Sequence, residues 1–149
     1  MKLSLTTPRG ALVDTDVDEI TAPGEAGEMG VLPGHVPLMT TLRPGVLWYK
    51  SGEHQGVVAV GEGFLQVAPD LKGVKAGDNT QRDRVLVLVD EAVAAADVDR
   101  EAAARQLADA DRELAAWKGE LDGAYAALVS RRGWAQARLD AANRAAPAH

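Results

Sequence analysis

Residues 27–45 read GEMGVLPGHVPLMTTLRPG, with four glycines, three prolines and one histidine threaded between aliphatic residues. Glycine opens backbone conformations closed to other residues, and proline fixes φ and removes a donor, so this segment must turn sharply at several defined places. Between the turns, PLMTTL has the composition of a strand. The same grammar extends outward on both sides: residues 1–96 hold 12 of the 15 glycines and six of the seven prolines, punctuating short apolar or alternating runs. Strands are expected over 3–6, 11–14, 17–22, 37–42, 46–50, 56–60, 64–67 and 85–89, and many short strands at close spacing imply a sandwich or barrel. SGEHQ at 51–55 is expected to be a hairpin loop, and GEAGEMG at 24–30 a series of β turns. In DVDEITA neither alternate face is purely apolar, which places that strand near a sheet edge.

From Asp97 onward the composition changes. Alanine supplies 17 of the last 53 residues and β-branched residues nearly vanish, which is helix composition. Asp97 is the expected N-cap, with Asp99 and Glu101 where the positive end of the helix dipole favours acids. Leu107, Leu114 and Leu121 recur every seven residues with Trp117 nearby, until KGELDG interrupts. Tyr125, Leu128, Ala135, Leu139 and Ala142 then fall near one face of a second helix, where Gly133 is expected to loosen the backbone. Two such helices in succession predict an antiparallel hairpin packed on itself. The fold class is therefore α+β in two modules, a β-sandwich over 1–96 and a helical hairpin over 97–149.

Composition narrows the function. The chain has no cysteine, which excludes disulfides and thiolate metal sites, and a net charge of −6, which argues against a nucleic-acid surface. No apolar run approaches a membrane span and the N-terminus lacks a signal-like apolar stretch. His35, His54 and His149 have no metal-ligand spacing, the glycines at 24, 27 and 30 lack a phosphate-loop ending, and Ser4, Ser51 and Ser130 have no nucleophile-elbow context. No cofactor, metal or catalytic set is expected. A free-standing sandwich module that recruits a partner through its helical arm remains an open alternative to the reading that follows.

The Gly-rich turn, LPGH, PLMTTL and RPG, together with GEGFLQV and VLVLVDEAV, resemble the ε subunit of bacterial F-type ATP synthase, called δ in mitochondria. The resemblance covers nearly the whole chain. It implies a ten-stranded sandwich, a helix-loop-helix arm and a non-catalytic place in the rotating central stalk, peripheral on the cytoplasmic face of the bacterial plasma membrane. The implied partners are the γ subunit, the c-ring and, through the arm, the catalytic β subunit with α as a further contact. Glu28, Met29, Gly30, Val31, Leu32, Pro33, Gly34 and His35 are the implied docking residues, with Met29, Val31 and Leu32 as apolar anchors and Glu28 and His35 as polar contacts. In the arm, Arg131, Arg132 and Arg138 are implied to meet an acidic segment of β and restrain ATP hydrolysis. Two departures stand out. APDLKGVKAGDNTQRDR at 68–84 is longer than the family's turn, which implies an extended hairpin or excursion carrying Lys72, Lys75, Arg82 and Arg84. VDREAA at 98–103 matches the ATP motif (I/L)-D-x-x-R-A at Val98 and Asp99 but has Ala102 in place of the motif arginine, and neither Arg100 nor Arg105 stands there, so tight ATP binding is not expected.

Overall fold

A computed structural model describes residues 1–34, 36–70 and 82–145. In chain order these form β1 (Lys2–Thr7), β2 (Gly10–Asp16), β3 (Glu19–Gly24), β4 (Gly27–Val31), β5 (Leu38–Leu42), β6 (Gly45–Ser51), β7 (His54–Val60), β8 (Gly63–Asp70), β9 (Arg82–Val89) and β10 (Ala92–Ala94), then a 3-10 turn at Ala95–Asp97, α1 (Arg100–Ala115) and α2 (Gly123–Ala145). The strands hydrogen-bond in the order β10-β7-β6-β3-β5-β8-β9-β1-β2, with β4 attached to β3 alone. All pairs are antiparallel except β1 with β9. The sheet folds over on itself, and its inward positions follow the two-residue repeat of a strand. Leu3 and Leu5, Leu65 and Val67, and Val85, Val87 and Val89 meet Ile20, Ala22, Leu47, Val58 and Val60 in one core.

Several sequence expectations are corrected. The strand of DVDEITA is interior: β3 bonds to β4, β5 and β6. Its apparent polarity came from Asp18, which precedes the strand and accepts the Gly52 N–H at 2.8 Å. GEAGEMG is not a run of turns, because Gly27–Val31 forms β4; its glycines hid an alternation in which Met29 and Val31 face inward while Glu28 and Gly30 are exposed. The short strand β10 carried no sequence signal beyond three small apolar residues. Asp97 closes the 3-10 turn, and Asp99 caps α1 by accepting the Ala102 N–H at 3.0 Å. The longer segment at 68–84 begins and ends as an extension of one hairpin, with Ala68, Pro69 and Asp70 opposite Arg84, Asp83 and Arg82. Lys72 and Lys75 lie outside the described residues, as do His35 and His149.

The two helices do form an antiparallel hairpin. Ala103 and Ala110 of α1 are buried against α2, flanked by half-buried Leu107 and Leu114. Leu121 falls in the connection beyond the end of α1 and is exposed, so the heptad stops one leucine early. Trp117 stacks edge-on to Tyr125 with ring centroids 5.6 Å apart, and Asp122 caps α2 by accepting the N–H groups of Ala124 and Tyr125. Among the described residues, α2 is the helix that packs on the sandwich. Ala141 packs with Ala59 of β7 and Ala95 of the 3-10 turn, beside Val46, Val57, Val93 and Trp134. Both faces of β7 are therefore covered, which is why VVAV is an unbroken apolar run rather than an alternating one. At Gly133 a Cβ would lie 3.3 Å from Cβ and Cγ of Pro44, so the glycine permits close approach of the helix to the β5–β6 turn.

A chain ending at Ala96 should still unfold cooperatively with a β-sheet signature, because the core drawn from β1–β9 contains no helical residue. Its thermal midpoint should fall, by about 4–8 °C for each kcal/mol of cover lost from the β6–β7 face. Loss of cooperativity in calorimetry would mean that the arm is part of one folding unit.

Candidate functional site

The docking residues expected from sequence lie along an edge, not at a single tip. Glu28 sits opposite Pro23 and Val31 opposite Ile20, so Glu28 and Leu32 are about 13 Å apart along the strand at roughly 3.3 Å per residue. Glu28 and Gly30 are exposed, Met29 is half-buried against the core, and Leu32 is 57% exposed in the turn beyond. Val31 is fully buried. Its phase in β4 sends it into the sandwich, so it cannot serve as an anchor and belongs to the core. Pro33 and Gly34 lie in the turn after β4, and Gly34 has φ +84°, a region that L side chains rarely adopt. The Gly34 N–H donates to Oδ2 of Asp83 at 2.5 Å. Sequence reasoning missed Asp83, although its parity with Val85, Val87 and Val89 placed it on the inward face of β9.

A second surface also escaped the sequence reading. Met39 of β5, Phe64 of β8 and Leu88 of β9 are 67%, 51% and 46% exposed. They share one outer face of adjacent strands, since Phe64 lies directly opposite Leu88 and Met39 opposite Gln66. On β6 and β7 the corresponding outer positions are covered by α2. The β5–β8–β9 positions have no such cover from the described residues. Three large apolar side chains grouped on one sheet face are a feature of protein interaction surfaces.

The arginines of α2 are engaged within the hairpin. Arg131 pairs with Glu113, and Arg132 with Asp111 at 2.5 Å. Arg138 donates to the Gln106 side chain and to the Trp134 carbonyl, with its guanidinium 5.3 Å from the centre of the Trp134 ring. Burial lowers the Arg138 pKa from its ordinary value, with Glu91 and Asp99 acting in the opposite direction. Arg131 and Arg138 line one cleft of about 580 Å³ with Trp134, Gln106 and Glu91, as their seven-residue spacing predicts; Arg132 points away from it to Asp111. At the start of α1, Asp99 is the helix cap, and Arg100 donates to the Ala142 carbonyl at 2.8 Å and to Asn143 at 3.2 Å, which ties the beginning of α1 to the end of α2. Arg105 is exposed. Arg84 is exposed on β9 opposite Ala68, and Arg82 opens that strand. Among the described residues no group of three His, Asp or Glu is arranged to hold a metal, and no helix is long and apolar enough to cross a membrane.

Residues 1–77 match the family described as ATP synthase, Delta/Epsilon chain, beta-sandwich domain. The chain is 38% identical over 144 residues to the ATP synthase epsilon chain of Anaeromyxobacter sp. (strain Fw109-5), covering 97% of this chain and 98% of that one. It is also 38% identical over 123 residues to ATP synthase epsilon chain 2 of Syntrophotalea carbinolica, covering 76% and 80%. In fold it is similar to a chain of the Euglena gracilis mitochondrial ATP synthase OSCP/F1/c-ring structure, with TM-score 0.62, 24% identity, and 95% and 76% of the two chains covered. A chain of the Tetrahymena thermophila mitochondrial ATP synthase central stalk/c-ring structure has TM-score 0.58 at 19% identity, covering 95% and 96%.

With Asp99 and Arg100 committed to helix ends, millimolar ATP should leave the thermal midpoint of the isolated protein unchanged. A ligand present at 100 times its dissociation constant would add about 2.7 kcal/mol, which scanning fluorimetry detects readily. A clear ATP-dependent rise would show that another cation has taken the place left by Ala102.

Proposed function

The chain belongs to the ATP synthase delta/epsilon-chain family, and on that premise we propose that it is a non-catalytic subunit of the rotating central stalk of a proton-translocating F-type ATP synthase. Its sandwich couples c-ring rotation to the γ shaft and so to ATP synthesis in the head. The observation that carries this reading is an identity to ATP synthase epsilon chains that runs through sandwich and hairpin alike. The protein acts peripherally at the cytoplasmic face of the plasma membrane, held there by the complex.

In this role the exposed β4 edge and Leu32 turn meet the polar loops of the c-ring, and the apolar face of Met39, Phe64 and Leu88 is the surface offered to γ. Division of labour between two surfaces is what a coupling subunit needs, since torque passes only through a body gripped at two places. The arm is a brake on hydrolysis when it leaves the sandwich and presents Arg131, Arg132 and Arg138 to an acidic segment of β. Exposed ion pairs contribute only about 0 to 1 kcal/mol each, so Arg131 and Arg132 can exchange Glu113 and Asp111 for other carboxylates at small cost.

Two outcomes test this function. Gly30→Val should fold normally, because a Cβ at Gly30 meets nothing within 4 Å, yet it should weaken association with the c-ring; unchanged association in a pull-down would remove the β4 edge from the interface. Replacing Arg131, Arg132 and Arg138 with alanine in the assembled complex should raise ATP hydrolysis severalfold without loss of assembly, and added salt should act in the same direction. If hydrolysis is unchanged in that variant and in one truncated after Ala96, the arm is not an electrostatic brake.

A further inference from the structure

The inward stripe of β9 ends in a charge. Asp83, Val85, Val87 and Val89 alternate onto the core side of the strand, and Asp83 is only 7% exposed. A carboxylate in that position is costly unless it is hydrogen-bonded. Here Oδ2 accepts the Gly34 N–H at 2.5 Å, a short, charge-assisted contact. The donor sits in the left-handed backbone at φ +84° that turns the chain after Leu32. One side chain thus joins the start of β9 to a turn 49 residues earlier. Asp83 also belongs to the 68–84 segment, where the returning strand pairs it with Pro69, a residue without a backbone donor of its own.

We propose that Asp83 is the positioning residue of the docking turn: its carboxylate holds Leu32–Gly34 in the conformation that presents Leu32 outward while Val31 remains in the core. The start of β9 thereby acts on the turn from inside the sandwich. The functional half of this inference rests on the reading of that turn as a c-ring contact.

The test uses the full chain, with Asp83→Ala, Asp83→Asn and Leu32→Ser variants, and reads the Gly34 amide by NMR shift and hydrogen exchange alongside association with purified c-ring and γ. In D83A the Gly34 amide should lose its protection while that of Val87 in the centre of β9 keeps it, and association should weaken roughly tenfold. D83N, whose amide oxygen still accepts a hydrogen bond, should restore most of both, and it carries the comparison with the parent chain if D83A does not fold. A Gly34 amide that is unmoved in D83A, or no more protected in D83N than in D83A, overturns the positioning role. A displaced amide with association unchanged in D83A but lost in L32S overturns the link from Asp83 to docking. Association unchanged in L32S as well would instead refute the c-ring reading of the turn, leaving the structural role of Asp83 intact.

Discussion

Ala59, Ala95 and Ala141 meet where α2 lies on the sheet, and the placement of the arm depends on the smallness of that contact. Side chains with a single methyl allow a helix to approach a sheet closely, and Gly133 against Pro44 extends the same close fit along the helix. The contact continues to Val46, Val57, Val93 and Trp134 and is supported at its ends: Ser130 bonds to Glu62, and the Arg144 guanidinium lies 4.7 Å from the centre of the Trp48 ring.

The same arrangement decides which surfaces are free. One outer face of the sheet is occupied by α2, and a second, carrying Met39, Phe64 and Leu88, is not. In the arm, α1 touches the rest of the protein chiefly through α2, by way of the alanine seam and the cross-links of Arg100, Arg131, Arg132 and Arg138. The hairpin is therefore able to move as a unit only if α2 releases the sheet first.

Charge is distributed to suit that division. The second helix carries four arginines against one aspartate, and in the folded arm Arg131 and Arg132 pair with acids of the first at exposed positions where each pair is weak. Arg138 differs from its neighbours, being partly desolvated and held by a neutral amide, a carbonyl and an indole ring. Losing it would disturb packing between the helices as well as charge.

The sequence by itself determined the two-module plan, the hairpin at Gly52, the seam of Leu107, Leu114, Leu128 and Ala135, and the family through LPGH and its flanks. These follow from local periodicity and turn chemistry, which need no knowledge of what lies across the fold. It misplaced β3 at an edge and read β4 as turns because two glycines interrupted a correct alternation. It made Val31 a docking anchor, because an apolar residue beside a turn serves equally well in the core or at a surface. Only the tertiary structure decided that Val31 is core while Leu32 is exposed, that α2 is buried on two sides, and that a third group of apolar residues lies open on β5, β8 and β9. It alone brought Asp83 to Gly34, since a hydrogen bond across 49 residues exists only after the sheet has closed and leaves no periodic trace in the chain.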